Sequence, residues 1–218
     1  MVFHAFVLNG LKKVALGLAV SSLGLAFWGE AQASERYPNE REMQQFRLQF
    51  PRRIQEVLSG SVSYYLDDNR TPATKQQYQA FVNAWSRVNP AIAPFLGSWV
   101  GYEERVTIYP TNTPNKVCII EGNEEGFTAF TIGRVLSNGD LRTDNRKFII
   151  RSGNYLASAG IYDNQIYTGD LPLHSPRPPF VPSLSTLATL EETPAVENEK
   201  RQTLRRFNAE GCKAQFPN

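Results

Sequence analysis

The sequence is poor in the residues that metal centres and many hydrolytic sites use. Its 218 residues include only two histidines and two cysteines, and beyond residue 33 these are reduced to His174, Cys118 and Cys212. A multi-histidine metal site and a four-cysteine zinc cluster are therefore excluded from that part of the chain. Glycine-rich phosphate-binding motifs, acidic calcium loops and the G-x-S-x-G element of hydrolases are also missing. The sequence therefore predicts no metal site and no catalytic residue, and it leaves any cofactor unknown.

An excess of charge of one sign is also lacking. The chain has 23 basic and 21 acidic side chains and a formal net charge of +2. Proteins that bind DNA or RNA need a surplus of basic side chains to neutralise phosphates, so we expect no nucleic-acid partner. The hydrophobic content of 41% suffices for a globular core and, at this length, favours one domain.

Long hydrophobic runs are scarce, and the only one lies near the N-terminus. Val14–Trp28 is apolar, follows two lysines and precedes Ala31-Gln32-Ala33. These three parts are typical of a secretory signal peptide, predicted over residues 1–33 with cleavage after Ala33. As a helix the run spans about 22 Å, less than the roughly 30 Å of a bilayer core, which favours a signal peptide over a membrane anchor. No later segment is apolar for long enough to cross a bilayer, so we expect no transmembrane segment in the mature chain. The predicted location is the periplasm or the thylakoid lumen, with the extracellular space as the alternative.

Residues 34–96 form a predicted helical segment. Asn39 and Glu42 have the spacing of a capping box, which starts a helix. Pro51 is predicted to open a second helix, because proline is favoured at the first helical position. Thr71 followed by proline predicts the start of the next helix.

Residues 97–170 change to a two-residue period, which predicts an antiparallel β-meander of six or seven strands. Short turns such as Asn138-Gly139 leave no room for crossover helices, so neighbouring strands should be antiparallel. The fold class is therefore α+β, with an N-terminal helical segment and a C-terminal helix around the sheet. The candidate strands are Trp99–Tyr109, Lys116–Glu121, Phe127–Leu136, Leu141–Thr143, Lys147–Arg151, Tyr155–Ala159 and Gln165–Thr168.

The C-terminal part divides in two. Residues 171–194 are a proline-rich connector, in which neither a helix nor a central strand is expected. Thr193 followed by proline predicts the start of the last helix. Residues 195–218 contain this helix and a tail, with Gly211 after the end of the helix. If the chain is exported, Cys118 and Cys212 lie where disulfides persist, and we predict that they are bonded.

The segment Phe95-Leu96-Gly97-Ser98-Trp99 resembles the F-x-G-x-W motif at the start of the first strand in lipocalins and related calycins. The resemblance implies a small β-barrel in which Trp99 closes one end. In that family an arginine from a late strand packs against this tryptophan, and Arg151 is the candidate here. The resemblance also implies that a small molecule binds inside the barrel.

Five side chains are candidates for contacting such a ligand. In an unbroken strand from Trp99 to Tyr109, the two end residues share a face because their separation is even. Aromatic residues and arginines on one face suit either a face covered by a helix or a pocket with polar lining. The five candidates are Trp99, Tyr109, Arg134, Arg151 and Tyr155.

A basic cluster in the same hairpin region has two interpretations. Converging guanidinium groups can bind a carboxylate or phosphate, whereas a solvated sheet face balanced by nearby carboxylates is the more common arrangement. The basic residues are Arg134, Arg142, Arg146, Lys147 and Arg151.

Three hypotheses for function follow. The first is an exported non-catalytic protein that binds a small molecule or serves as an accessory module. The second is a structural or interaction subunit of an envelope or lumenal complex, with a protein partner. The third is a hydrolase, for which His174 is the only histidine available in the mature chain, although its proline-rich setting favours no fixed catalytic geometry.

Overall fold

The computed structural model describes residues 34–102, 104–123, 128–169, 171–187 and 193–217. The predicted signal peptide lies outside the described residues. The architecture is α+β. The described helices are α1 (Glu40–Ser59), α2 (Pro72–Val88) and α3 (Pro194–Ala209), together with short 3₁₀ helices at Ser63–Leu66 and Ala93–Phe95. The described strands are β1 (Gly97–Val100), β2 (Glu104–Pro110), β3 (Lys116–Asn123), β4 (Thr128–Val135), β5 (Leu141–Thr143), β6 (Phe148–Ser152), β7 (Tyr155–Tyr162), β8 (Gln165–Thr168) and β9 (His174–Arg177).

All strand pairs in the sheet are antiparallel, and the order is β8-β7-β6-β5-β4-β3-β2-β1-β9. The predicted antiparallel meander is therefore confirmed. The predicted number of six or seven strands is wrong, because the described residues form nine. Two features account for the difference: the first predicted strand is broken in two, and the proline-rich connector contains a strand.

The break in the first strand changes which residues share a face. The Gly101 amide donates a hydrogen bond to the Glu104 carbonyl over 2.7 Å, and the chain reverses there. Trp99 consequently lies opposite Val106 in the β1–β2 ladder. Residues directly opposite in an antiparallel pair point to the same face, so Trp99 is not on the face of Tyr109, contrary to our prediction.

The connector contains β9, which pairs with β1 at the edge of the sheet. Pro176 lies inside this strand, a position that edge strands tolerate because one side of the strand has no ladder to complete. The segment is extended, as predicted, but its pairing with β1 was not foreseen. Just before β9, Leu173 exchanges two backbone hydrogen bonds with Leu156 of β7, at 2.8 and 2.9 Å.

Helix α1 passes through Pro51 without ending, so the prediction of a separate second helix is wrong. The buried side chains of α1 continue on one face at spacings of three and four residues on both sides of the proline. Packing of this face against the sheet outweighs the roughly 3 kcal/mol that a proline costs inside a helix. The buried residues of α1 are Met43, Phe46, Phe50, Ile54 and Val57.

The predicted helix boundaries that depend on local capping are confirmed. Asn39 and Glu42 form the capping box of α1. The side chains of Thr71 and Thr193 accept hydrogen bonds at the starts of α2 and α3, each followed by proline. Gly211 follows the end of α3 with a φ of +68°.

Three hydrophobic clusters surround the sheet. The central core joins one sheet face, including Trp99, Ile119 and Ile149, to Phe81 and Trp85 of α2. The α1 core packs α1 against the opposite face of β6 and β7. The α3 core covers the opposite face of β2, β3 and β4. The α1 core contains Met43, Phe46, Phe50, Ile54, Phe148, Ile150, Ala157 and Ala159, and the α3 core contains Tyr109, Cys118, Ile120, Phe130, Leu187, Phe207 and Cys212.

Candidate functional site

A cavity of about 210 Å³ lies beside the central core, bounded by strands β2, β3, β6 and β7, by the chain before β9 and by α1. Most of its exposed surface is apolar, although eight of the lining side chains are polar. Small-molecule sites in proteins commonly combine these two properties. The apolar lining residues are Phe46, Phe50, Val106, Ile149, Ala157, Leu171, Pro172 and Leu173, and the polar ones are Arg53, Glu104, Glu121, Lys147, Ser158, Tyr162, Tyr167 and Thr168.

The register of the sheet explains why part of the lining shares one face, whereas Phe46, Phe50 and Ala157 belong to the α1 core. Val106 of β2 lies directly opposite Glu121 of β3, and Ile149 of β6 lies directly opposite Ser158 of β7. Each pair therefore presents one apolar and one polar side chain to the same face. Lys147 precedes Ile149 by two residues, which places it on that face as well.

Lys147 and Glu121 form an ion pair in the cavity wall. The Lys147 Nζ atom lies 3.2 Å from the Glu121 Oε2 atom, and the two side chains are only 14% and 17% exposed. Burial alone would lower the pKa of Lys147, but Glu121, Tyr162 and Glu104 outweigh it and raise the pKa above its ordinary value. Lys147 is therefore an ammonium ion throughout the neutral range.

Further polar groups lie around the ion pair. Tyr162 and Tyr167 contact each other edge to face, with ring centroids 5.6 Å apart, and burial raises the pKa of Tyr162. The Glu104 carboxylate lies next to Gly169, where even a methyl group would come within 3.4 Å of its Oε2 atom. The polar part of the cavity is thus crowded and charged, whereas the rest offers hydrocarbon surface.

The structure does not bring the five sequence-predicted ligand contacts together. Trp99 is fully buried in the central core, where its Nε1 atom donates to the Phe95 carbonyl over 2.8 Å. Tyr109 is fully buried in the α3 core, and Tyr155 packs against the α1 core. Arg134 is exposed. These residues do not line the cavity, and we do not place them in the candidate site.

The basic cluster does not converge either. Arg151 donates to the carbonyls of Gly153 and Pro94, at 2.7 and 3.1 Å. The Arg142 guanidinium lies over the rings of Tyr37 and Phe148, and Arg146 donates to the Glu35 carbonyl over 2.5 Å. Of the five basic residues, only Lys147 lines the cavity.

His174 lies beside a serine, and both residues are buried. Its Nδ1 atom lies 2.8 Å from the Oγ atom of Ser175, and Ser175 has a φ of +46°. A serine within hydrogen-bond reach of a histidine is one requirement for nucleophilic catalysis. The two residues are only 7% and 6% exposed, and neither lines the cavity. Both residues are buried and lie outside the cavity, so we do not place this pair in the candidate site.

The sequence did not single out the residues of the cavity. Glu121 and Lys147 were interpreted together with a solvated charged face, whereas the structure buries most of both side chains. The usable signal was the two-residue period, which places Lys147 and Ile149 on one face of the sheet. Among the described residues, no group of three or more histidine, cysteine or carboxylate side chains could hold a metal ion.

Comparisons with protein-family models, with curated proteins and with solved structures find no match. Within the described part of the chain, no helix is both long and apolar enough to cross a membrane. The fold and the cavity define the class of this protein: an α+β protein whose antiparallel sheet borders a small, mainly apolar cavity that contains an ion pair.

Proposed function

We propose that this protein is an exported, non-catalytic binding protein that holds a small, mainly apolar molecule in the cavity. The observation that carries the proposal is the cavity itself, because its apolar wall surrounds a mostly buried ion pair. A cavity of about 150 Å³ is large enough for benzene. The volume of about 210 Å³ thus suits a somewhat larger molecule, on the order of ten non-hydrogen atoms.

The shape of the sheet supports a calycin-like barrel. In sheet order, β4 and β5 separate β3 from β6, yet Glu121 of β3 contacts Lys147 just before β6. Neighbouring strands are about 4.8 Å apart, so these residues can meet only if the sheet curves strongly. The hydrogen bonds between Leu173 and Leu156 connect the β9 end of the sheet back to β7. We propose that this contact completes the barrel and that β8 extends beyond it.

The start of β1 supports the same resemblance. The 3₁₀ helix Ala93–Phe95 leads into β1, and Trp99 is buried behind it. Arg151, from a late strand, donates to the Pro94 carbonyl of this 3₁₀ helix. Gly97 has a φ of +121°, and a Cβ atom there would come within 2.9 Å of the Arg177 carbonyl oxygen. Glycine at the third position of F-x-G-x-W therefore allows the close approach of β9.

We propose export from the N-terminal sequence pattern. The disulfide supports this proposal, because disulfides persist in oxidising compartments. We propose cleavage after Ala33. Ser34, the resulting first residue, is buried, and its Oγ atom accepts a hydrogen bond from the Ile161 amide over 2.7 Å. N-terminal sequencing of the protein from its native source should begin at Ser34, and a native chain beginning at Met1 would overturn the proposal.

A protein-interaction role is the second candidate. Tyr64 and Tyr102 are 58% and 43% exposed, and both rings contact Tyr65, with centroids 4.1 and 4.4 Å away. Exposed aromatic clusters are common at protein interfaces. If this is the main function, changing these tyrosines should abolish the association with a partner and leave the binding of small molecules unchanged.

The proposed binding site is tested by a substitution that fills the cavity with a larger side chain. Ser158→Phe places a ring in the cavity, and Ser61→Phe makes the same change at an exposed turn. Binding of 1-octanol is measured by titration calorimetry on both variants after thermal unfolding has confirmed that each is folded. We expect 1-octanol to bind the unaltered protein and Ser61→Phe equally, and to bind Ser158→Phe at least tenfold more weakly. Failure of the unaltered protein to bind 1-octanol, or equal binding by all three proteins, would refute the proposal.

A further inference from the structure

The charges on the cavity wall are balanced. Two cationic side chains, Lys147 and Arg53, and two anionic side chains, Glu121 and Glu104, line it. At least one cation and one anion are directly paired, since Lys147 contacts Glu121 over 3.2 Å. The described wall therefore has no surplus charge that would favour a ligand of one sign.

The burial of the ion pair makes any exchange of partners costly. A ligand carboxylate that approaches Lys147 must compete with Glu121, and a ligand ammonium that approaches Glu121 must compete with Lys147. Either exchange leaves one charge in the wall without its counter-ion, in a site where both side chains are less than one-fifth exposed. Removing one partner from a buried pair is strongly unfavourable. A neutral ligand leaves the pair intact.

We infer that the cavity selects uncharged ligands, and that the Lys147–Glu121 pair is the device that excludes both anions and cations. This inference rests on the proposed binding function. The ligand class is an aliphatic or aromatic alcohol, phenol or ketone, with a hydrocarbon body against Val106, Ile149 and Leu173. Its one polar group has a hydrogen-bond partner in the Ser158 hydroxyl, which lines the same wall.

The test compares three ligands that differ only in the charge of the head group: 1-octanol, octanoate and octylammonium, titrated at pH 7 into the unaltered protein. All three have the same eight-carbon chain, so the apolar contribution is constant. We expect 1-octanol to bind at least tenfold more tightly than either ion. Binding of either ion as tightly as 1-octanol, still blocked by Ser158→Phe, would overturn the inference and leave the binding function intact. Absence of binding by all three would instead overturn the function.

Two substitutions provide a sharper readout. Glu121→Gln leaves Lys147 without its carboxylate, so the preference should shift at least tenfold toward octanoate. Lys147→Met leaves Glu121 without its cation, so the preference should shift at least tenfold toward octylammonium. The matched control, the double variant Lys147→Met with Glu121→Gln, removes the pair and should favour neither ion.

These opposite shifts distinguish selection from a merely structural pair. If the pair only stabilises the sheet, both single variants should unfold at lower temperature without changing the order of the three ligands, and the inference would be refuted. If a single variant does not fold, the double variant and the titrations of the unaltered protein still decide the outcome. The inference would also be contradicted if octanoate and octylammonium bound equally weakly, relative to 1-octanol, in every folded variant.

Discussion

Cys118 and Cys212 form a disulfide that ties the middle of β3 to the chain just after α3. Their Cα atoms are 5.9 Å apart, and 94 residues separate them in the sequence. Both lie in the α3 core, against which the Phe207 side chain of α3 also packs. The bond thus fixes the last helix on a sheet face that is reached only after a long, proline-rich segment.

Reduction of this disulfide should destabilise the protein considerably. In the chain-entropy account, a loop of this length contributes about 4–5 kcal/mol to the free energy of unfolding. We expect urea unfolding to shift to markedly lower concentration when reductant is present. The double variant Cys118→Ser with Cys212→Ser should reproduce the shift without reductant. Thiol titration of the denatured, unreduced protein should detect no free cysteine, and two free thiols would contradict the prediction.

Trp99 should be essential to the central core. Its side chain is fully buried, and its ring contacts Tyr78 edge to face with centroids 6.5 Å apart. Replacing Trp99 with alanine should reduce the free energy of unfolding by about 3–5 kcal/mol, as large core truncations do. Leu48 of α1 is 65% exposed, and Leu48→Ala is the control, which should alter stability by less than about 0.5 kcal/mol. Similar denaturant midpoints for the two variants would show that this account of the core is wrong.

Gly133 of β4 should not tolerate a side chain. A Cβ atom at this position would lie 2.7 Å from the Leu141 Cδ1 atom and 2.8 Å from the Val117 Cγ2 atom, both in the central core. Overpacking of this kind costs about 1–3 kcal/mol, which we expect for Gly133→Ala. The neighbouring Arg134 is exposed, and Arg134→Ala should have little effect. A Gly133→Ala variant as stable as the unaltered protein would show that the neighbouring strands adjust freely.

Protonation of His174 should make the folded protein less stable in mild acid. Burial lowers the pKa of the His174 imidazole below its ordinary value, and Arg70 lowers it further. The backbone hydrogen bond to Tyr65 and the charges of Asp68 and Asp67 raise the pKa, but not enough to cancel the effect of burial. Because the folded pKa lies below the unfolded value of about 6.5, the unfolded chain takes up a proton first. Stability should therefore be greatest above about pH 6.5 and fall as the pH decreases through the folded pKa.

This prediction is checked by urea unfolding at several pH values, with His174→Gln as the control. Carboxylates also become protonated in acid, so the informative quantity is the difference between the two proteins. The unaltered protein should lose more stability than His174→Gln between neutral and mildly acidic pH. Parallel pH dependences would show that protonation of His174 does not affect folding.

Local sequence signals were reliable where one or two residues determine the structure. The Asn39–Glu42 capping box and the Thr71 and Thr193 caps each depend on hydrogen bonds within a single turn, so the sequence was sufficient. Pro51 was misinterpreted because its effect on α1 depends on what the helix packs against. The helix continues because Phe50 and Ile54 are buried in the α1 core, which no local pattern reveals.

The candidate site could be predicted only in part. The two-residue period was enough to predict the antiparallel sheet but not which of its side chains line a cavity. The contact between Glu121 and Lys147 joins residues that are 26 positions apart and are not on neighbouring strands, so it depends on the curvature of the sheet. The turn at Gly101 was also missed, because it has none of the Asn-Gly or Asp-Gly pairs that mark tight hairpins. That single error moved Trp99 to the wrong face.

The pairing of β1 with β9 has a consequence for the order of folding. Ser98 lies opposite Arg177, so the edge of the sheet next to the first strand stays open until almost all of the other strands have been made. Contacts between residues so distant in sequence form slowly, because a long loop must close before they contribute. A chain that emerges N-terminus first, from a ribosome or a secretion channel, therefore leaves the backbone N–H and C=O groups at this edge of β1 unpaired until residues 174–177 have emerged. Prompt emergence of residues 174–177, or a chaperone, would prevent this edge from pairing with another copy.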